Sequence, residues 1–403
     1  MSQHDVSIPE DVDLPSSSLF SKPAIAFVVG LAGLGATFAT LGENRDYIAH
    51  SYLFSFATWL SIALGCLAFV LIQHVVRAGW SASVRRLFEN GMMTLPAFVL
   101  LFVPVALLAH DLFPWTHADH IDDTLRKKLP YLNESFFFVR AVIYLVIWSV
   151  LAWFLHSRSV KMDGGAPAAA RDHVHALWKV SALGVILFAL SQSFAAFDWL
   201  MSLQPHWYST MFGVYFFAGS MLGAYSFITL VAMSLQSKGA MKTALSTEHY
   251  HDLGKFLFGH TIFWAYIAFS QFMLIWYANI PEEVEFFYHR MGHGWGAISY
   301  LLPISNFFIP FFFLLSRHMK RRKGTLAIGA VYVFIVHVMD IYWLVMPTAH
   351  HSHFPSGNMW IDIAALVGVG GIFLGVFGLV LGRNKLVAIG DPRLAESLAH
   401  QNY

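Results

Sequence analysis

Apolar residues run almost end to end along this chain, broken at intervals by short clusters of charge, proline and glycine. About 20 mainly apolar residues suffice to cross the hydrocarbon of a bilayer as a helix. Ten such runs are predicted, at 24–41, 51–76, 91–109, 132–155, 177–202, 208–235, 256–279, 294–316, 325–346 and 360–382. In lipid a backbone must satisfy its polar groups as helices or as a closed barrel, and these runs lack the alternation of barrel strands. The expected fold is all-α, a polytopic membrane protein with ten transmembrane helices. The first run is the weakest, short and rich in Gly and Ala, although small residues also favour close helix contact.

Lys and Arg collect in cytoplasmic segments, so their distribution sets the orientation. Nineteen of the 25 lie in the two tails and the even-numbered connections, and Arg140 lies inside a span. The odd-numbered connections hold five: Arg45, Arg126, Lys127, Lys128 and Arg290. Both termini are therefore expected in the cytoplasm, which agrees with an even number of crossings. Residues 1–21 have acids and a serine run but no basic n-region, so they are expected to be a flexible cytoplasmic tail, not a secretory signal. Residues 22–383 form the expected ten-helix domain, with 158–172 as a cytoplasmic linker, and 384–403 the C-terminal tail.

Composition agrees: 57% of residues are hydrophobic and 12% charged, against roughly 25% charged in soluble domains. A net charge of +1 offers no clustered basic face for counterion release, so nucleic acid is not the expected partner. The one cysteine, Cys66, lies in an apolar run, which excludes a disulfide framework, a CxxC motif and covalent haem attachment. No nucleotide-binding loop, nucleophile elbow or HExxH motif is present. The connection 110–131 gathers His110, Asp111, His117, Asp119, His120, Asp122 and Asp123. It has no zinc spacing and reads first as a wet polar surface for a partner, with a metal site as the alternative.

Ionisable residues inside the spans carry the candidate chemistry, because a charge at the bilayer centre costs about 2.5–3.5 kcal/mol on insertion scales. Glu134, Arg140, Asp198 and Asp340 fall in the outer half; His337 lies deeper; His260 and His74 lie toward the cytoplasm. Arg140 is expected to pair with Asp198 or with Asp340, since an unpartnered carboxylate at that depth takes up a proton instead. His337 and Asp340, three residues apart, share a helical face. All seven are candidates for a proton path, with buried ion pairs that only fix helix packing as the competing reading. Ser191, Gln192, Ser193, Ser270, Gln271, Ser305 and Asn306 are either helix glue or a continuation of the path. His74 and His260 are the one histidine pair at matched depth, too little for a copper oxidase centre and enough for at most one haem. Proline follows Asp198 and Asp340 at the same distance, as Pro205 and Pro347, each with a histidine beyond it, His206 and His350. That spacing suggests two related bundles, spans 2–5 and spans 6–9.

Three stretches, LIQHVVRAGWSASVRRLFE (71–89), FDWLMSLQPHWYSTMFGVYFFAGS (197–220) and WYANIPEEVEFFYHR (276–290), resemble the ActF subunits of bacterial alternative complex III. These are similar to the sister subunit ActC and to the NrfD and polysulfide-reductase membrane subunits. The resemblance spans nearly the whole chain. It implies ten helices with two four-helix bundles in a bacterial inner membrane, no redox centre in this chain, and a role lining a proton path. It implies partners: an ActC-like membrane subunit where quinol is oxidised, an iron–sulfur subunit, c-type cytochrome subunits carrying haem c, a cytochrome c or terminal oxidase as acceptor, and lipids. It also implies an acidic residue where this chain has Gln204. Two other readings stay open: an NrfD-type subunit that itself binds quinol, and a secondary transporter.

Overall fold

The computed structural model describes residues 9–42, 44–117, 122–165, 167–349 and 353–402. Every regular element among them is helical. The principal helices are α1 (Pro23–Phe38), α2 (Arg45–Val75), α3 (Ala82–Met92), α4 (Ala97–Leu107), α5 (Glu134–Asp163), α6 (Pro167–Trp199), α7 (Phe212–Ser237), α8 (Thr247–Ala278), α9 (Trp295–Pro303), α10 (Ile309–Leu315), α11 (Lys323–Val345) and α12 (Met359–Leu381). Taking α3 with α4 and α9 with α10 as single crossings, nine helical stretches among the described residues are long and apolar enough to span a membrane. The first predicted run is a shorter apolar helix, α1, of 16 residues.

Local chemistry sets the ends. Pro23 opens α1, where its missing N–H is no loss. Asn133 caps α5 by accepting from Phe136 N at 3.0 Å. Ser246 and His249 form a capping box at the start of α8. Pro303 has no N–H to give, and a π turn at Ile304–Phe308 follows it, where polar Ser305 and Asn306 interrupt the span.

Helix α2 is buried along nearly its whole length and packs on α3, α6, α7, α11 and α12. Helix α7 meets α2, α6, α8 and α11, while α5 lies on α6, and α9 and α10 close against α8 and α11. The extensive α1–α12 contact runs along glycines: a Cβ on Gly371 would sit 2.5 Å from Gly30 Cα, so only glycine allows this approach.

Two expectations change. The segment 158–172 is not a structureless linker but mostly helix: α5 runs to Asp163 and α6 begins at Pro167. The described part of the N-terminal tail is pinned rather than loose. Val12 is 3% exposed, Met241 N donates to Asp11 O at 2.7 Å, and Leu386 N donates to Val12 O at 2.7 Å. The C-terminal tail is also seated, with Leu386, Val387 and Ala388 fully buried and Ser397 bonded to Ser83 and His249.

Candidate functional site

Two buried carboxylates in the predicted outer half organise the interior. Asp198, fully buried one residue before the end of α6, receives a two-pronged ion pair from Arg140 on α5: Nε to Oδ2 at 2.7 Å and Nη2 to Oδ1 at 3.0 Å. Tyr144, one helical turn along α5, donates to Oδ2 at 2.9 Å. Arg140 also donates to Tyr131 O at 2.9 Å and lies over the Tyr131 ring at 3.9 Å. The carboxylate and the guanidinium thus neutralise each other with their hydrogen bonds largely satisfied. Of the two pairings open to Arg140, the structure forms the one with Asp198.

Asp340, 1% exposed on α11, has a different environment. Tyr215 of α7 donates its hydroxyl to Oδ1, and Trp264 of α8 donates Nε1 to Oδ2 at 3.0 Å. Among the described residues no Lys, Arg or His forms an ion pair with it. His337, one turn away on α11 and equally buried, bonds Ser61 of α2 through Nε2 at 2.8 Å. Ser61 gives its own proton to Thr58 O at 2.6 Å, so Nε2 carries the imidazole hydrogen and Nδ1 is the bare acceptor. Among the described residues Nδ1 has no hydrogen-bond partner. A Cβ on Gly219 would lie 3.4 Å from that Nδ1 and 3.6 Å from Asp340 Oδ2, so the imidazole and the carboxylate border the same small space on α7. Four residues on, a Cβ on Gly223 would stand 2.7 Å from His337 Cδ2. Glycine there gives the imidazole its slot.

The other candidates separate from this pair. Glu134 is exposed in the first turn of α5, where a negative charge suits the helix N-terminus; it does not join Arg140 and Asp198. His260 bonds Phe256 O of its own helix at 2.9 Å and packs on Tyr225. His74 is buried at the other end of α2, with Nε2 unbonded among the described residues. Trp148 donates to Ser191 at 2.9 Å and Gln192 to Gly213 O at 3.1 Å, so both polar residues act as cross-helix ties. Ser270 bonds its own helix at Tyr266 O, 2.6 Å away.

Two clusters escaped the sequence reading. Asp362, 5% exposed near the start of α12, accepts from Ser51, from Tyr47 at 2.8 Å and from Tyr342 at 2.9 Å. Tyr342 lies two residues beyond Asp340, so α11 serves both carboxylates. On the predicted cytoplasmic side, Glu89 of α3 is fully buried between Arg85 Nε at 3.2 Å and Arg86 Nε at 2.9 Å. Arg86 Nη1 reaches Asp163 at 2.8 Å, and Arg85 pairs with Asp391 of the C-terminal segment. Burial pushes the Asp391 carboxyl pKa up, but the Arg85 charge and hydrogen bonds from Arg393 N and the Arg85 side chain together outweigh it and hold the group below its ordinary value. An RR-x-x-E run at helical spacing was the available signal.

Arg290 joins the outer ends of the two carboxylate regions. It is 1% exposed and donates to Trp343 O at 3.1 Å, Leu344 O at 2.8 Å and Gln204 Oε1 at 2.8 Å. Burial pushes its pKa down to about 9, which leaves it charged at neutral pH. Gln204 thus offers Arg290 an uncharged acceptor. Above them a cavity of about 470 Å³ is lined by Gln204, His206, Glu285, His289, His293 and His353 among others. In the 110–131 connection, Asp111 pairs with Arg45 at 2.7 Å and Asp122 with His206 at 3.1 Å. Asp119, His120 and His350 lie outside the described residues. Among the described residues no group of three or more His, Cys, Asp or Glu is arranged to hold a metal ion. No protein-family model matches this chain, and no curated protein matches it.

Proposed function

We propose that this chain is an integral membrane subunit of a quinol-oxidising respiratory complex of the alternative complex III type, in a bacterial inner membrane. Its ten helices, counting α1, place both termini in the cytoplasm and include two four-helix bundles, α2–α6 and α7–α11. It works without a redox centre of its own, beside an ActC-like subunit, an iron–sulfur subunit and c-type cytochromes. Its task is to carry protons and to scaffold the assembly.

The observation that carries this reading is Asp340. A carboxylate sealed among helices with two hydrogen-bond donors and no cation can hold a proton in its resting form and release it when a base is presented. His337 Nδ1 is such a base, facing the same space. Tyr215 and Trp264 hold the carboxyl group in both protonation states, so exchange needs no large rearrangement. Asp198, clamped by Arg140, serves as an anchor for the α5–α6 pair.

The test uses the purified complex in liposomes, with proton translocation and electron transfer measured together. Asp340→Asn should lower the proton-to-electron ratio while electron transfer persists. An unchanged ratio in Asp340→Asn and His337→Gln would overturn the proton path. Isolation of the chain without haem- and iron–sulfur-bearing partners would overturn its place in the complex.

A further inference from the structure

Helices α8 and α10 lie side by side, with Phe258 and Phe311 in ring contact at 5.4 Å. A trough runs outside that contact. Its α8 bank carries Gly259, where an added Cβ would meet nothing within 4 Å, and then Ile262 and Tyr266, both exposed. The opposite bank is Phe308, Phe312 and Leu315, exposed as well. Both helices belong to stretches apolar and long enough to cross a membrane, so the trough faces lipid.

The end of the trough on the predicted cytoplasmic side is basic. Lys255, one turn before Gly259, and Arg317, just past the end of α10, are both exposed and both reach Asn402. Lys255 Nζ donates to its Oδ1 at 2.6 Å, and Arg317 Nη2 to its carbonyl at 3.3 Å. One residue thus holds two cations from different helices at the same spot. The neighbouring cations are committed elsewhere: Arg321 pairs with Glu248, and Lys320 turns inward to donate to Leu314 O and Leu315 O. Asp252 answers Lys255 at 2.5 Å, but among the described residues no acid pairs with Arg317. Positive charge is left over where the trough ends.

Depth fits the same picture. From Lys255 to Tyr266, α8 climbs about 16 Å at about 1.5 Å per residue, close to one leaflet of a hydrocarbon core about 30 Å thick. There the trough opens into a chamber of about 660 Å³ between α8 and α9, with Ile262, Tyr266 and Phe308 in its walls.

We propose that this trough binds one anionic phospholipid, its phosphate between Arg317 and Lys255 and one acyl chain laid along Gly259 to the chamber. The guanidinium fork of Arg317 suits phosphate oxygens, and cations at a membrane surface favour anionic headgroups. A zwitterionic headgroup would bring its own cation to a site already rich in positive charge. A free phosphate would leave the apolar banks uncovered. The inference requires only that the chain crosses a bilayer, so it stands or falls apart from proton transfer at Asp340.

The experiment reconstitutes the purified complex in phosphatidylcholine bilayers with a trace of phosphatidylglycerol that carries a diazirine at the end of one acyl chain. After photolysis, label should map to residues 259–266 and 304–312. Unlabelled phosphatidylglycerol should displace it, whereas glycerol phosphate or further phosphatidylcholine should not. Arg317→Gln and Lys255→Gln should each cut labelling about fivefold, and Arg317→Lys should keep most of it. Gly259→Phe, which fills the trough on an exposed face, should cut it about tenfold. Asp340→Asn should leave it at the parent level. Even labelling of every lipid-facing helix, equal displacement by phosphatidylcholine, or full labelling in both Arg317→Gln and Gly259→Phe would overturn the site. So would an unlabelled trough, as when a helix of another protein or of a second copy fills it.

Discussion

Asp198 and Asp340 hold matching positions in two halves of the molecule. Each sits near the end of a long helix that closes in a short 3-10 turn, Met201–Leu203 or Met346–Thr348. Each is followed at equal spacing by proline, and each takes a hydrogen bond from a tyrosine, Tyr144 or Tyr215. They differ in the second partner, which is a bidentate arginine for Asp198 and an indole N–H for Asp340. In a low-dielectric interior that difference decides the chemistry. An ion pair satisfies the charge on the spot and resists protonation, whereas a carboxyl group with only neutral donors is free to change protonation state. Depth alone makes neither residue functional. The company it keeps does.

The largest expected effect tests the anchor. Arg140→Ala strands a buried carboxylate and should cost about 3–5 kcal/mol, read as lost assembly on native gels or a lowered unfolding midpoint. Asp198→Asn in the same chain should restore most of it. Arg140→Ala assembling normally by itself would erase the distinction between the two sites.

Next is Asp340→Asn, which keeps an acceptor for Tyr215. It should change stability by no more than about 1 kcal/mol while stopping proton transfer, whereas Asp198→Asn should do the reverse. Smaller again in its effect on proton transfer is Gly223→Ala. Its methyl group would press on His337 Cδ2 and shift the imidazole from Ser61, at about 1–3 kcal/mol. Proton transfer should fall more than assembly does, and an assembly defect with intact proton transfer would count against His337 as the relay.

The smallest effect extends the comparison to the opposite face, where Asp391 is held by Arg85 as Asp198 is by Arg140. Its folded pKa is depressed, so its contribution to stability is complete above the unfolded value of about 3.9 and is lost as pH falls through the folded one. Limited proteolysis of residues 391–402 should therefore rise only below about pH 4. Asp391→Asn should raise it already at neutral pH.

The span pattern was legible because its signal is local: twenty apolar residues in a row need no tertiary information. The Arg140–Asp198 contact was legible too, since depth along a helix follows from residue count. What depth could not convey is rotation about the helix axis. That is why Arg140 had two candidate partners, why His337 turned out to bond Ser61, and why Glu134, at similar depth, points outward. Glu89 was missed because α3 begins nine residues before the apolar run at 91, burying charged residues that hydropathy assigns to a connection. Asp362 was missed at a span edge, where three hydroxyls from two other helices satisfy it. The seated tails were illegible because their partners lie far away in sequence.

The most direct test of the central claim is pH-difference infrared spectroscopy of the complex, following the C=O stretch of protonated carboxylic acids in the parent, Asp340→Asn and Asp198→Asn. The account predicts that a pH-dependent component of that band disappears in Asp340→Asn and persists in Asp198→Asn. Its loss in Asp198→Asn with an unchanged band in Asp340→Asn would contradict it.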